Sequence, residues 1–291
     1  MTRNLATLFG FTAILLWALL ALLTDLTGDV PPFQLLAMCF SIGGLSGLLI
    51  LKARGQSFSV MKQPMPVWLL GVGGLFGYHF LYFSALRAAP AAEASLIAYL
   101  WPLLIVLSAT IVTGDRTRPS HIIGALTGFL GAALLIGGPD GFAPDPANFT
   151  GYLLALAAAF VWTGYSVASR LVANVPTDAV TGFCLVTALG ALALHLALEQ
   201  TVWPPDGWGW SAVIGLGLGP VGLAFFAWDI GVKKGDLPLL GVASYGAPLL
   251  STLILVLAGR AAPTWTLAVA CALITAGAGI AALSTFRGKR N

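Results

Sequence analysis

Charge is what this chain has least of. Only 9% of its 291 residues are Asp, Glu, Lys or Arg, where a soluble domain carries about 25%. With 58% of residues hydrophobic, a water-soluble globule is excluded. The few basic residues are scattered through short loops and form no stripe, which removes nucleic acid as a partner. Cysteine is nearly absent: Cys39, Cys184 and Cys271 each fall inside an apolar run and share no ligand spacing, so they read as small core residues with no metal to hold. There is no HExxH pair and no Gly-rich phosphate loop, which excludes a zinc protease and an ATP-driven machine of the usual kind. No cofactor is expected.

What the sequence does contain is long apolar runs. A bilayer core about 30 Å thick needs about 20 mostly apolar residues per helical crossing, and ten such spans can be placed: 5–23, 33–51, 67–86, 91–113, 120–137, 150–171, 179–198, 210–231, 237–257 and 264–284. Gly, Pro, Asp, Asn and basic residues mark the breaks. The first run is too long for the core of a secretion signal, and "LLTDLTGD" offers no small-x-small cleavage site. The fold class is therefore an all-α integral membrane protein of ten transmembrane helices.

Alternate loops divide the positive charges unequally. One side holds Arg3, Lys52, Arg54, Lys62, Arg116, Arg118, Arg170, Lys233, Lys234, Arg287, Lys289 and Arg290; the other holds Arg87 and Arg260. The positive-inside rule then puts both termini in the cytoplasm. Asp25, Asp29, Asp140, Asp145, Glu199 and Asp206 lie on the opposite side.

Sliding the chain over itself by 146 residues places Phe80 on Phe226, Tyr82 on Trp228, Arg87 on Lys233, Tyr99 on Tyr245, Pro102 on Pro248 and Gly131 on Gly277. A shift of 145 pairs Trp17 with Trp162 and Gly114 with Gly259. The chain reads as two five-helix repeats, 1–145 and 146–291. Because five is odd, the second enters the membrane from the other side, giving inverted repeats about a central cavity, a scaffold for alternating access.

In that scaffold the substrate site lies near the midplane, where interrupted helices in equivalent positions meet. The prolines of "AYLWPLLIVL" and "ASYGAPLLST" mark them: Pro102 would free the carbonyl of Ala98, and Pro248 that of Ser244. Carbonyls bare at that depth must line a cavity or find a partner. Aromatic residues well inside the spans supply the expected walls: Trp17, Tyr78, Tyr82, Tyr99, Trp101, Trp162, Tyr165 and Tyr245, with Phe225 and Trp228 in "GLAFFAWDIGVKK". Rings with a few polar tips suit a flat organic solute or a cation over a ring face.

His79 is the ionisable residue placed nearest the midplane, while Glu93 and His195 sit near outer helix ends, and Asp229 lies one turn before Lys233 as an expected local ion pair. No carboxylate at the midplane is available to carry a coupling proton, so facilitated movement down the solute's own gradient is expected. Small-residue pairs Gly43/Gly47, Gly73/Gly77, Gly124/Gly128 and Gly215/Gly219 predict close packing within a monomer.

The motifs "YLWP", "AWDIGVKKGD" and "SYGAPLLS", with "LLW" in the first span, resemble the drug/metabolite transporter superfamily of EamA type, and within it the YddG-type aromatic amino acid exporters of bacterial inner membranes. The resemblance covers essentially the whole chain and implies export of aromatic amino acids and flat cationic toxicants through a central cavity. The positions matching the motif set are Tyr99, Trp101, Pro102, Trp228, Tyr245 and Pro248. EamA repeats commonly end their fourth helices with Gly-Glu; here Gly114-Asp115 is a conservative variant, whereas Gly259-Arg260 removes the acid.

Other readings compete. "GLSG" at Gly44 to Gly47 matches the rhomboid pattern and would make Ser46 a nucleophile with His79 as its base, but the duplication gives that pairing no explanation. A channel is disfavoured because midplane aromatics would obstruct ion flow. Within transport, another amino acid, a purine, a nucleotide sugar, or proton-coupled antiport are the alternatives.

Overall fold

The computed structural model of the protein describes residues 1–113, 118–137 and 145–287. The Gly114-Asp115 pair, Arg116, Asp140, Lys289 and Arg290 lie outside them. Among the described residues there is no strand. Nine helical spans among the described residues are long and apolar enough to cross a bilayer: α1 (Arg3–Leu26), α2 (Pro32–Ala53), α3 (Met65–Ala88), α4 (Ala91–Ala109), α5 (Pro119–Gly137), α6 (Pro146–Val172), α7 (Thr177–Leu198), α8 (Gly207–Lys234) and α9 (Leu237–Leu257). A tenth, α10 (Trp265–Arg287), contains the apolar stretch Trp265–Ala281. The all-helical, ten-span architecture is that expected from the apolar runs, with ends shifted by a few residues.

Helix starts follow from residue chemistry. Pro32 and Pro238 occupy first-turn positions that need no N–H. Asp206 and Asp236 accept from Gly209 N and Leu239 N at 2.8 and 3.1 Å. At α2 the cap comes from across the bundle: Glu199, just past α7, accepts from Phe33 N and Gln34 N at 3.1 and 3.0 Å.

Several spans are interrupted. α3 carries a π-helical segment at Gly73–Gly77 and α8 carries one at Gly219–Leu223, 146 residues later. Both contain glycine, and the second also contains Pro220, whose missing N–H disturbs the helix ladder. α4 breaks after Ala98 and resumes at Trp101, while α9 breaks after Ala243 and resumes at Gly246.

The principal packing partners are α5 with α10, α2 with α7, α1 with α8, α3 with α6, α4 with α6 and α2 with α8, and α4 also meets α9. α5 and α10 touch backbone to backbone: a Cβ added to Gly124 would lie 2.5 Å from Gly277 O, and one on Gly277 would lie 2.5 Å from Gly124 O. Of the small-residue pairs, Gly47 faces Thr181 and Gly128 faces Tyr245, both within the chain. Gly73 is a correction to the packing expectation: a Cβ added to it would meet no other part of the bundle within 4 Å, and it belongs to the π segment.

Ion pairs sort by bundle end. Arg3–Asp236 and Arg54–Asp178, at 3.2 and 3.4 Å, lie at the end rich in basic residues. Arg87–Glu199 and Arg260–Asp25, at 2.9 and 3.0 Å, lie at the opposite end.

Candidate functional site

Four tryptophans, one from each of α1, α4, α6 and α8, meet in the middle of the bundle. The Trp17 ring lies 5.1 Å from Trp228, 5.8 Å from Trp162 and 6.4 Å from Trp101, centroid to centroid. These are the edge-on and tilted distances that aromatic quadrupoles favour. Two indole N–H groups are fixed by partners that the fold supplies. Trp17 donates to Pro220 O in the π segment of α8 at 3.1 Å, and Trp228 donates to Ser166 Oγ at 3.1 Å. Phe225 packs against Trp17 and Trp162 at 6.3 and 5.9 Å.

A second row stands on α3. Tyr78 and Tyr82 stack at 5.8 Å with planes 7° apart, and Tyr78 also meets Trp162 at 5.3 Å. The Tyr82 hydroxyl shares a 2.8 Å hydrogen bond with Ser95 Oγ. His79 Nδ1 lies 2.7 Å from Leu75 O, within the π segment. Since a carbonyl only accepts, Nδ1 carries the proton and Nε2 of the neutral ring is left as an acceptor. Tyr99, at the break in α4, packs 6.3 Å from Trp101.

Exposure grades across this chamber. Trp17, Tyr78, His79, Tyr82 and Tyr99 are half-buried, whereas Trp101, Trp162, Tyr165, Phe225 and Trp228 are buried. The accessible rings lie toward the end that carries Glu93 and Arg87. The opposite end is closed by polar clasps: Arg170 donates to Val232 O at 2.8 Å and to Gly235 O, Lys233 pairs with Asp229 at 2.9 Å, and Thr177 donates to Asp229 at 2.6 Å. The Asp229–Lys233 pair is the local one that their spacing predicts.

Pro248 acts differently from expectation. The break at 244–245 tightens so that Ser244 O accepts from Ala247 N at 3.1 Å, so Pro248 frees no carbonyl for a cavity. Ser244 Oγ turns back to Leu240 O at 2.7 Å, and both Ser244 and Tyr245 are fully buried. The Tyr245 ring packs against Phe129, away from the tryptophans, and its hydroxyl accepts from Leu103 N at 3.1 Å, just after Pro102. One interrupted helix therefore mends the other. Thr163 adds a weaker bond to Trp101 O at 3.3 Å. Ser244 and Tyr245 are thus held outside the aromatic chamber in this conformation, while the other ten expected contact residues are at its wall or one residue removed from it.

Phe83, whose spacing on α3 puts it with His79 on the face adjoining the tyrosines, belongs to the site, and so does Phe40, which nothing in the sequence singles out. Phe40 stacks on Phe225 at 5.3 Å with planes 12° apart and meets His79 edge-on at 5.5 Å; Phe83 lies 6.1 Å from His79. The His79 hydrogen bond goes to Leu75 O and its ring neighbours are Phe40, Tyr78, Phe83 and Phe225.

A bundle of apolar spans around an aromatic, partly accessible centre with one polar-sealed end defines a membrane transporter of organic solutes. The sequence comparisons place it further. The profile of the EamA-like transporter family matches residues 4–137 and 149–283, and the chain belongs to that family. It is 58% identical to the aromatic amino acid exporter YddG of Ancylobacter novellus over 97% of this chain and 99% of that one. Identity to the aromatic amino acid exporter YddG of Salmonella typhimurium is 29%, over 87% and 88% of the two chains. The pseudopaline exporter CntI of Pseudomonas aeruginosa matches at 26% over 68% of each. A crystal structure 57% identical in sequence superposes with a TM-score of 0.94, covering 98% of this chain and 99% of that one. The protein is a transporter and not an enzyme, and the protease reading of "GLSG" falls with that.

Proposed function

We propose that the protein exports aromatic amino acids, and flat organic solutes like them, across a bacterial plasma membrane by alternating access and without an obligatory coupled ion. The observation that carries this is the chamber of Trp17, Trp101, Trp162, Trp228, Tyr78 and Tyr82, together with the near full-length similarity to an exporter of aromatic amino acids. An aromatic ring bound there exchanges water for ring faces, and His79 Nε2 offers an acceptor for the ammonium group.

The two-repeat reading is part of the proposal, with halves 1–145 and 146–291. It is supported by π segments 146 residues apart and by packing that maps onto itself when the halves are exchanged: α1 with α8 corresponds to α6 with α3. On the charge distribution both termini are cytoplasmic, the acidic loops are periplasmic, and this conformation is closed toward the cytoplasm by Arg170, Asp229 and Lys233. One chain holds every residue of the chamber, so a monomer suffices.

The test is counterflow. Purified protein in liposomes preloaded with unlabelled phenylalanine should accumulate labelled phenylalanine and tryptophan, competed by tyrosine and not by lysine, with no pH or sodium gradient and with protonophore present. Absence of counterflow for every aromatic amino acid would sink the substrate reading; counterflow abolished by the protonophore would sink the uncoupled one.

A further inference from the structure

A small cavity, on the scale of one water molecule, lies on the closed side of the aromatic chamber among α3, α6, α7 and α8. Its polar lining is Tyr165, Ser169, Asp229 and Lys233; Leu70 and Phe183 are among its apolar walls. Tyr165 is 3% exposed and its hydroxyl has no hydrogen-bond partner. An orphaned buried hydroxyl carries a cost. The side chain nonetheless has room made for it: a Cβ on Gly74 would lie 2.5 Å from its ring, and one on Gly71 would collide with Phe183. Its ring also meets Trp162 at 5.3 Å, so Tyr165 joins the chamber to the cavity.

Beside that hydroxyl stand two full charges, Asp229 at 2% and Lys233 at 7% exposure. The Lys233 ammonium reaches Asp229 at 2.9 Å and Val175 O at 3.0 Å, which leaves one of its three N–H donors over. Asp229 accepts from Thr177 and Lys233 and retains lone pairs. A buried pair of this kind is seldom a source of net stability, because desolvation offsets the attraction. Its charges are those needed to receive a zwitterion: a cation for a carboxylate, a carboxylate for an ammonium.

We infer that Tyr165, Asp229 and Lys233 form a cytoplasmic-side subsite for the α-ammonium and α-carboxylate of the amino acid, with Lys233 and Tyr165 taking the carboxylate and Asp229 the ammonium. In the conformation described the pair closes on itself and keeps the cavity small. When α8 parts from α6, the substrate head group takes the place of the internal pair, its ring already against Phe183 and Leu70. This rests on the transport reading above and adds the place where the head group is recognised before the ring reaches the tryptophans.

The experiment uses membrane vesicles of both orientations and labelled phenylalanine counterflow, with unlabelled phenylalanine, phenethylamine and 3-phenylpropionate as competitors. In wild-type inside-out vesicles, phenylalanine should compete at least tenfold better than either analogue. The charge-neutral double variant Asp229→Asn/Lys233→Met should bring the three within about threefold of one another, as expected when hydrogen bonds to charged groups are lost, while right-side-out vesicles keep their preference. Tyr165→Phe removes a hydroxyl without a partner, so it should leave thermal stability unchanged or raised yet weaken phenylalanine competition about threefold in inside-out vesicles. If the double variant does not fold, Tyr165→Phe decides alone. Wild-type preference retained in a folded variant overturns the subsite; no counterflow in wild type overturns the transport reading and the subsite with it.

Discussion

Tyr78 stacks on Tyr82 and touches Trp162, yet part of its surface stays accessible. Truncation there removes binding area without emptying a packed core. Tyr78→Ala should therefore raise the half-saturating phenylalanine concentration about tenfold, because an aromatic pair contributes ~0.5–1.5 kcal/mol beyond its area and ~1.4 kcal/mol is tenfold. Its Tm in detergent should change little. Trp228 is the opposite case, fully buried and donating to Ser166; Trp228→Ala should cost about 3–5 kcal/mol of stability, as large-to-small changes at buried tryptophans do. A chamber whose accessible and buried rings gave equal stability losses would not be a binding site. These roles were partly legible in the sequence, where interior aromatics are countable along each span. Which rings keep accessible surface was not, since that depends on six spans at once. Phe40 shows the limit: a phenylalanine in an apolar helix is indistinguishable from ordinary packing until Phe225 is seen against it.

Within the elements, the interruptions carry consequences of different kinds. The bond from Leu103 N to the Tyr245 hydroxyl joins the broken segments of α4 and α9, residues 142 positions apart. Tyr245→Phe leaves that N–H unpaired in a buried place and should destabilise by about 1–3 kcal/mol, read as a lowered Tm with the half-saturating concentration little altered. A larger loss of affinity than of stability would return Tyr245 to the substrate's side. At the α5–α10 contact, Gly124→Val should cost about 1–3 kcal/mol because the new side chain meets Gly277 backbone that cannot turn aside. Gly73→Ala, with nothing nearby, should be close to neutral for stability. The prolines announced that α4 and α9 break, because a missing N–H is written in the residue itself. What mends each break was not written there: the partner hydroxyl comes from the other half of the chain, and no local pattern encodes a contact of that range. The π segments are similar, with glycine content as a faint trace and their register set by tertiary packing.

For the whole molecule, the grading from half-buried Tyr78, Tyr82 and Tyr99 to buried Trp228 and Asp229 means that one end of the path is sealed while the other stays accessible. An alternating-access carrier holds such a state by differential contacts that vanish in the opposite one. The bonds from Arg170 to Val232 O and Gly235 O, tying the end of α6 to the end of α8, are contacts of that kind. On the orientation proposed from the charge distribution, they join segments that must separate for a cytoplasmic solute to reach Trp162. Arg170→Ala should thus shift the population toward the inward-open form. The measurement is maleimide labelling of a Ser169→Cys reporter, buried at 2% exposure in the native residue, in a background with Cys39, Cys184 and Cys271 replaced by Ala. In inside-out vesicles the reporter should be protected with Arg170 present and label several-fold faster with Arg170→Ala, whereas in right-side-out vesicles the substitution should not speed labelling. Equal labelling with and without Arg170 would mean that the seal lies elsewhere, and the Asp229–Lys233 pair would be the next contact to release. Faster labelling from both faces would instead report local unfolding of the α6 end, because a single conformational equilibrium opens one face only by closing the other.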